Sequence, residues 1–500
     1  MKLYQSIIAV VVCCSGWIMS GCSDWLDYTP KDKQTYEQQF STSAGFYNAV
    51  NGVYNKMSSS SLYGYNLSYG PLDIMAQCYK VASGNENLSE YKMYTWGGEN
   101  ASKTFTAIWA QAYSTILNIN LLLEAAETNG QSVLKESDYK LIRGEMLAAR
   151  AFLHFDLLRL YGPVYSREPN GLSIPFNDGI EAVRRERLPA SQLIMEKLLP
   201  DLEISQELLK EVDPVITKGA LNSDGGVQGN WERYRQLRMN YYAVTLLKAR
   251  IYIWIGDYGN ALSEALKITD DAKVKEWFPF VEPSKLLANN TNPDRVFSSE
   301  CLFGYYNSSM GNVFLNTFSG SLDVLDLLQP RKGYMGILFS ATNDYRRQSQ
   351  WTGSTSSSGG DFDFVKYKSF AADKKNPEFW ATYYGLMRIS EAYYIAAEAY
   401  LSQDNLPKAC EYMNVMFGAR GVEKLDAEVT TKTNVLKQIK MEYVREMRGE
   451  GQLFYLFKRF YQNFGAWSDG EPELNGAEEP FFDSPSVARY VIPIPTGETN

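Results

Sequence analysis

Apolar residues recur at helical spacing through most of this chain. Between Ser102 and Glu127, the side chains of Phe105, Ile108, Trp109, Ala112, Ile116, Ile119 and Leu123 fall on one stripe, which predicts an amphipathic helix. The same periodicity predicts helices over Gly45 to Met57 and Asp138 to Tyr161, the second stopped by Gly162-Pro163. Pro189 is placed to open a further helix running to about Glu211. Tyr241 to Leu247 and Ala392 to Leu401 read as helical core. Two stretches break the pattern. Residues 58–100 are crowded with Gly, Ser, Asn and Tyr, and residues 271–380 carry Pro-rich turns, Gly304-Tyr305-Tyr306-Asn307 and a Gly/Ser-rich loop from Trp351 to Gly360. Both are expected to be irregular and to lie on the surface.

Two helical segments repeat each other. Ala249, Tyr252, Tyr258, Ala261 and Ala265 are separated by three, six, three and four residues, and Ala397, Tyr400, Leu406, Ala409 and Met413 have the same spacing. This is the small-large pattern of a tetratricopeptide helix pair. Ala lets two antiparallel helices approach closely, Tyr fills the groove, and Gly256-Asp257 or Gln403-Asp404-Asn405 supplies the turn. The units begin 148 residues apart, far more than the ~34 of a tandem array. The expected fold is therefore mainly α, with tetratricopeptide-like helix pairs interrupted by long irregular insertions at 58–100 and 271–380, all within one domain over 41–500. Insertions of that length are where a binding surface would be built.

The first residues carry a different signal. Lys2 is followed by an apolar stretch from Ile7 to Met19, broken only by Ser15 and Gly16, and then by Ser20-Gly21-Cys22. This has the form of a secretory signal and is too short to span a bilayer. It resembles a bacterial lipoprotein lipobox, with Met19 where Leu is more usual. Cleavage before Cys22 would remove residues 1–21 and place the Cys22 thiol beside the new N-terminus, ready to carry lipid. Residues 22–40 are then expected to form a polar tether. Each buried methylene contributes about 0.8 kcal/mol, so several acyl chains would hold the domain firmly on a membrane. No later segment approaches the ~18 consecutive apolar residues of a spanning helix, and lipid is the one anchor expected.

Composition agrees with a globular body: 45% of residues are hydrophobic, enough for a large core. Loss of residues 1–21 removes one Lys and no acid, taking the net charge from −9 to −10. A chain so charged is a poor partner for nucleic acid. Once Cys13, Cys14 and Cys22 are set aside, Cys78, Cys301 and Cys410 remain, far apart and without a CxxC spacing, and are expected to be buried thiols.

Short motifs run nearly from end to end. They are Cys22-Ser23-Asp24-Trp25-Leu26-Asp27, Ala148-Ala149-Arg150-Ala151-Phe152 leading to Leu160-Tyr161-Gly162-Pro163-Val164, Arg388-Ile389-Ser390-Glu391-Ala392 with Ala397-Glu398-Ala399, and Arg420-Gly421-Val422. Near the end come Glu442, Arg445-Glu446, Gly449-Glu450-Gly451 and Ile492-Pro493-Ile494-Pro495. In this order and spacing the chain resembles the SusD/RagB-type nutrient-binding lipoproteins of Bacteroidetes outer membranes. The resemblance implies a surface-exposed, mostly helical protein that caps a TonB-dependent transporter, its SusC-like partner, and captures oligosaccharide or another nutrient for import. Asp24 and Asp27 also resemble the export signal that sends such lipoproteins to the cell surface.

The residues needed for catalysis are largely missing. The one histidine, His154, lies in Phe152-Leu153-His154-Phe155-Asp156 and reads as a packed helix residue. There is no second histidine for a dyad, no HExxH, GxSxG or phosphate-loop motif, and no metal or cofactor is expected. Paired carboxylates roughly 5–10 Å apart suffice for glycoside hydrolysis, so a surface glycosidase remains an alternative. Asp361-Phe362-Asp363 is read as a solvated strand or loop edge.

Sugar binding has simpler requirements. A flat aromatic buries the C–H face of a pyranose while amides, carboxylates and Arg satisfy its hydroxyl rim. Tyr outnumbers Phe by 35 to 24, which favours rings carrying their own hydroxyl. Trp109, Tyr113, Tyr252, Trp254, Tyr393 and Tyr400 sit at core spacing and are assigned to packing. The candidates for ligand contact lie among polar loop residues: Asn85, Asn87, Tyr91, Tyr94 and Trp96 in one cluster, and Tyr305, Tyr306, Asn307 and Trp351 in another. The stretch around the first cluster commonly contributes to the ligand platform in the resembled family. Trp231 and Trp467 are weaker candidates. Capture of peptides by the same architecture is the second alternative.

Overall fold

A computed structural model describes residues 36–82, 84–220, 231–287, 293–323, 325–330, 334–339, 341–354, 362–368, 382–462 and 486–498. The expected leader, Cys22, most of the tether, Asp361 and Trp467 lie outside the described residues.

The N-terminal half is built on α1 (Ser43–Met57), α2 (Glu99–Ala125), α3 (Glu136–Tyr161) and α4 (Leu199–Val212). Thr42 starts α1 from an extended backbone, its Oγ1 accepting the Gly45 N–H at 3.2 Å. Phe46, Val50, Val53 and Met57 then face inward, and every residue of the stripe predicted for α2 is buried. Helix α3 is buried on all sides from Gly144 to Tyr161, because α2 and α4 both pack on it. A Cβ at Gly144 would lie 2.8 Å from the Leu209 side chain, so glycine sets the close approach of α3 to α4. Polar groups on α3 find partners inside: Arg150 holds Asp201 of α4 through two bonds of 2.8 Å, and Glu145 accepts from Arg235 at 2.6 Å. The segment after Pro189 is helical from Ala190, but its turns widen over Ile194–Leu198 before α4 begins.

The two repeated units form two helix pairs. In the first, α5 (Tyr241–Ile255) and α6 (Tyr258–Thr269) are joined through Gly256 at φ 78°. The second pair is α7 (Ile389–Ser402) and α8 (Leu406–Ala419), joined through Asp404 at φ 59°. Asp257 and Asn405 cap the second helix of each pair. Ala249, Ala261, Ala265, Ala397 and Ala409 have no exposed surface, as close helix contact requires. Helix α6 packs along α7, so units distant in sequence adjoin in space and stack as a tandem array would. Arg250 of α5 and Glu391 of α7 close this seam with bonds of 2.7 and 2.6 Å. Between α6 and α7 the described residues of 271–380 leave the array and return to it.

Return is made by a strand pair. Strand β1 (Cys301–Tyr306) runs antiparallel to β2 (Tyr383–Arg388), and β2 leads directly into α7. Gly304 faces Gly385 across this ladder, and a Cβ on Gly304 would collide with the Tyr384 carbonyl. Helix α9 (Lys432–Glu446) closes the C-terminal side. Between these elements lies a buried ionic cluster. Glu446 accepts from Arg388, Arg420 and Arg346; Glu300 accepts from Arg420 at 2.9 and 2.6 Å; Glu450 accepts from Arg388 and Lys366. Glu442 pairs with Arg346 and Arg445, and Asp344 with Arg346. Acids and bases balance here. The Arg388, Arg420, Glu442, Arg445, Glu446 and Glu450 motifs therefore fasten the insertion to the helical array, leaving no surplus charge for a ligand.

Candidate functional site

Most of the aromatic candidates point inward. Tyr91 is buried, its hydroxyl 2.8 Å from Thr104 Oγ1. Tyr94 is buried at φ 58°, donating to the Met75 carbonyl at 2.7 Å and accepting from Gln77 at 3.0 Å. Tyr305 donates to the Tyr63 carbonyl at 2.7 Å and stacks on Tyr384 at 5.1 Å, which in turn stacks on Tyr367 at 5.3 Å. Trp351 is buried against Phe364 with centroids 4.8 Å apart. These four rings correct the expectation of an open aromatic platform. A tyrosine needs one acceptor to be buried without penalty, and polar neighbours in sequence do not reveal whether the fold provides it. Asp363 is a further correction: it is buried, accepting from Gln329 at 2.9 Å and Ser354 at 2.8 Å.

The remaining candidates mark a surface. Tyr306, at the end of β1, is 55% exposed. Trp96 is half-buried, packs edge-on to Phe105 and donates to the Ala488 carbonyl at 2.8 Å. Asn85 caps the helix Glu86–Lys92 through the Leu88 N–H at 2.8 Å, and its amide nitrogen donates to the Leu325 carbonyl. Asn87 is exposed and accepts from Asn100 at 2.9 Å. The weaker candidate Trp231 stacks on Tyr47 at 4.5 Å.

Backbone pairing brings the two clusters' segments together. After Tyr306 the chain forms the helix Met310–Thr317, and the Leu328 N–H then returns to the Thr317 carbonyl. The next residue, Gln329, accepts from Lys80 N–H at 2.7 Å, while its side chain holds the Trp351–Gly353 hairpin through Ser354. Beside this junction lies a concavity of about 200 Å³ lined by Val81, Ala82, Gly84, Asn85, Glu86, Ser89, Lys92 and Met93. Met93 is 54% exposed, and Leu315 and Leu325 are also exposed on the adjoining segments. Met93, Leu315 and Leu325 carry no periodic signal in the sequence; only exposure after folding identifies them. The concavity is smaller than the ~300–1,000 Å³ of ordinary small-molecule pockets, which suits one ring or one chain end held at a surface.

A second cavity of about 540 Å³ lies elsewhere, between α8, α9 and the segment before Tyr345, with Phe339, Asn343, Phe417, Leu425, Gln438 and Arg445 in its wall. Its size suits a ligand better. Its aromatic rings, Phe339 and Phe417, are however buried, and Arg445 is committed to Glu442 and to the Leu338 carbonyl. Met93 lines the smaller concavity and Leu325 lies against Gly84 and Asn85 of its wall; this concavity is the candidate developed below.

The two carboxyls that burial raises most clearly lie away from both cavities. Burial raises the carboxyls of Asp73 and Asp294 to about 6, but Asp73 is bonded to the Gly449 N–H and Tyr79 and Asp294 to Ser298, and neither lines these cavities. His154 is buried, its Nδ1 2.9 Å from the Arg150 carbonyl and its Nε2 accepting the Asn177 N–H at 3.1 Å. Among the described residues no group of three or more His, Cys, Asp or Glu side chains is arranged to hold a metal, and Cys78, Cys301 and Cys410 are buried. No helix among them is long and apolar enough to cross a membrane.

Comparison with known proteins covers both ends of the chain. Residues 24–224 match a family described as "Starch-binding associating with outer membrane", and residues 333–500 match the SusD family. SusD-like protein P2 of Formosa agariphila is 26% identical over 215 residues, an alignment spanning 42% of this chain and 39% of that protein. A SusD superfamily protein of Bacteroides thetaiotaomicron superposes with a TM-score of 0.70 at 21% identity, covering 91% of this chain and 97% of the other. A SusD-like carbohydrate binding protein of Bacteroides vulgatus superposes at 0.66 with 19% identity, covering 91% and 96%. Surface glycan-binding protein A of Bacteroides thetaiotaomicron superposes at 0.65 with 18% identity, covering 92% and 97%. At these identities the structures establish a shared fold.

Proposed function

Because the chain belongs to the SusD/RagB family, we propose that it is a surface lipoprotein, anchored through Cys22, that captures oligosaccharide or polysaccharide for a SusC-like TonB-dependent transporter of the outer membrane. The ligand face in this reading is the concavity at residues 81–93 together with Tyr306, Leu315 and Leu325, with Asn85, Asn87 and Trp96 at its margin.

One observation carries the glycan assignment: exposed Met93 and Leu325 lie beside polar groups around a shallow concavity. Apolar side chains suit the C–H face of a sugar, and Glu86, Asn87, Ser89 and Lys80 offer both donors and acceptors to its hydroxyls. The likeness to a SusD-like carbohydrate binding protein and to a surface glycan-binding protein supports the same class of ligand. Capture and handover need no bond to be made or broken. The buried positions of Asp73 and Asp294 support binding over hydrolysis.

Retention of the purified protein in native gels containing different polysaccharides tests the reading. Tyr306→Ala and Met93→Ala should each weaken retention by at least one polysaccharide roughly 2- to 10-fold, the worth of one aromatic or apolar contact. Trp351→Ala should instead lower stability by about 3–5 kcal/mol, as loss of a buried ring does. Unchanged retention in the Tyr306/Met93 double variant would remove this face. Enrichment of peptides with no glycan retained would favour peptide capture, and new reducing ends during incubation would favour a glycosidase.

A further inference from the structure

The larger cavity, of about 540 Å³, has no part in the reading above. It lies between α8, the turn after it, α9 and the segment 341–344 with Phe339. Hydrogen bonds pin these walls to one another. Within the turn, the Val422 N–H donates to the Phe417 carbonyl at 2.9 Å, and Asn414 and Leu425 exchange bonds of 2.9 and 2.7 Å. The segment is tied to the same turn by Asn343 Nδ2, which donates to the Gly421 carbonyl at 2.5 Å, and by the Tyr345 N–H, which donates to the Arg420 carbonyl at 2.9 Å. Arg445 Nε of α9 donates to the Leu338 carbonyl at 2.5 Å. A ligand entering here has little wall to order, which spares it one ordinary cost of binding. The volume lies within the ~300–1,000 Å³ of small-molecule sites.

The charged side chains in the lining are Asp344, Glu423 and Arg445. Two of them are spent inside the protein. Asp344 accepts from Arg346 Nε at 3.0 Å and Nη2 at 2.7 Å, and Arg445 donates to Glu442 at 2.5 Å. Glu423 is different: it is exposed and forms no ion pair or hydrogen bond among the described residues. Lys424 and Lys437, beside the lining residues in sequence, are exposed and do not line the cavity. The half-buried Gln438 amide likewise has no partner among the described residues. The rest of the lining is largely apolar, with Phe339, Phe417, Val422 and Leu425. An unspent carboxylate thus stands beside apolar side chains.

We propose that this cavity is a second binding site, for an organic ammonium ion on an apolar body, with Glu423 pairing the ammonium and Phe339, Phe417, Val422 and Leu425 covering the body. An anion would meet Glu423 and find Arg445 already neutralised. A neutral ligand would leave the carboxylate unused, while an ammonium supplies donors that both Glu423 and the Gln438 carbonyl accept. The site is separate from the glycan face and does not rest on it.

Calorimetric titration of the full chain at low ionic strength can compare probes of one shape and different charge: phenethylammonium, phenethyl alcohol and hydrocinnamate. The ammonium should bind tightest, the alcohol roughly 2- to 5-fold more weakly, as one solvent-accessible ion pair allows, and the carboxylate least. Glu423→Gln should bring the ammonium down to the affinity of the alcohol and leave polysaccharide retention as in the parent, so this site and the glycan face fail separately. Gln438→Trp, which fills the cavity, should remove binding of all the probes. A free amine and a lysine side chain carry the same ammonium. Tighter binding of N-acetyl-leucyl-lysine amide than of phenethylammonium would assign the site to peptides, and the reverse to free amines. No binding of any probe, equal affinity for ammonium and alcohol, a preference for hydrocinnamate, or an ammonium affinity unchanged by Glu423→Gln would overturn the proposal.

Discussion

His154 shows how a single residue reports on its surroundings. Burial holds its imidazole at about 3, against an ordinary value of 6.5, and both ring nitrogens are engaged with backbone groups. The fold therefore prefers the neutral ring. The stability this contributes is complete above pH 6.5 and is lost as pH falls from there toward 3. At pH 5 the loss is about 2 kcal/mol, taking 1.36 kcal/mol per unit. Asp73 and Asp294 act in the opposite sense: raised to about 6, they favour the protonated form and weaken the fold as pH climbs from about 4 through 6. Comparing urea midpoints of the parent and His154→Gln at pH 7.5 and pH 5 separates these effects. The parent should lose about 2 kcal/mol more than the variant between the two conditions; equal losses would contradict the neutral, buried ring. Because the chain has one histidine, its NMR titration reads the same property directly, and no transition is expected between pH 5 and 8.

Among the elements, the seam where β2 enters α7 matters most for holding the insertion. Arg388 stands at that junction and bonds Glu446 and Glu450, while Arg420 at the end of α8 joins Glu446 to Glu300 ahead of β1. The neighbouring arginines depress the carboxyls of Glu446 and Glu442 although burial alone would raise them, so these two stay ionised and their contribution fails only in acid. Arg388→Met strips one cation from acids that have no water to turn to, and a loss of about 3–5 kcal/mol is expected in urea denaturation. Lys408→Ala, which removes an exposed partner of Glu411, should leave stability nearly unchanged. Similar values for the two would mean that the buried cluster is not what secures the insertion.

At the scale of the whole molecule, the proposed function gives lipid and tether the task of setting where a captured ligand is delivered. Anchoring beside a transporter raises the effective concentration of a weakly held ligand, which a shallow face needs. Cys22→Ser should abolish incorporation of labelled fatty acid and release the protein from the membrane fraction. Deleting residues 28–35 while keeping Cys22 to Asp27 should leave the lipid and impair uptake of the ligand. Normal uptake by the deletion variant would show that reach between anchor and body is dispensable.

Periodicity along the chain was sufficient for the helices, because an amphipathic stripe is a local property: the buried faces of α1 and α2 and the alanines of both helix pairs stand where spacing alone puts them. The resemblance to a lipobox at Cys22 and the want of a second histidine are equally local features of the sequence. Three things were decided only by tertiary structure. Two helix pairs 148 residues apart lie side by side, since the intervening chain can loop out at small entropic cost. The arginines and glutamates of the recurrent motifs came together as a balanced interior cluster, which no spacing announces. Tyr91, Tyr94, Tyr305 and Trp351 turned inward while Tyr306 and Met93 stayed out. Whether a ring in a polar neighbourhood is buried depends on the acceptor and the neighbouring rings that distant segments bring to it, and composition carries no record of either.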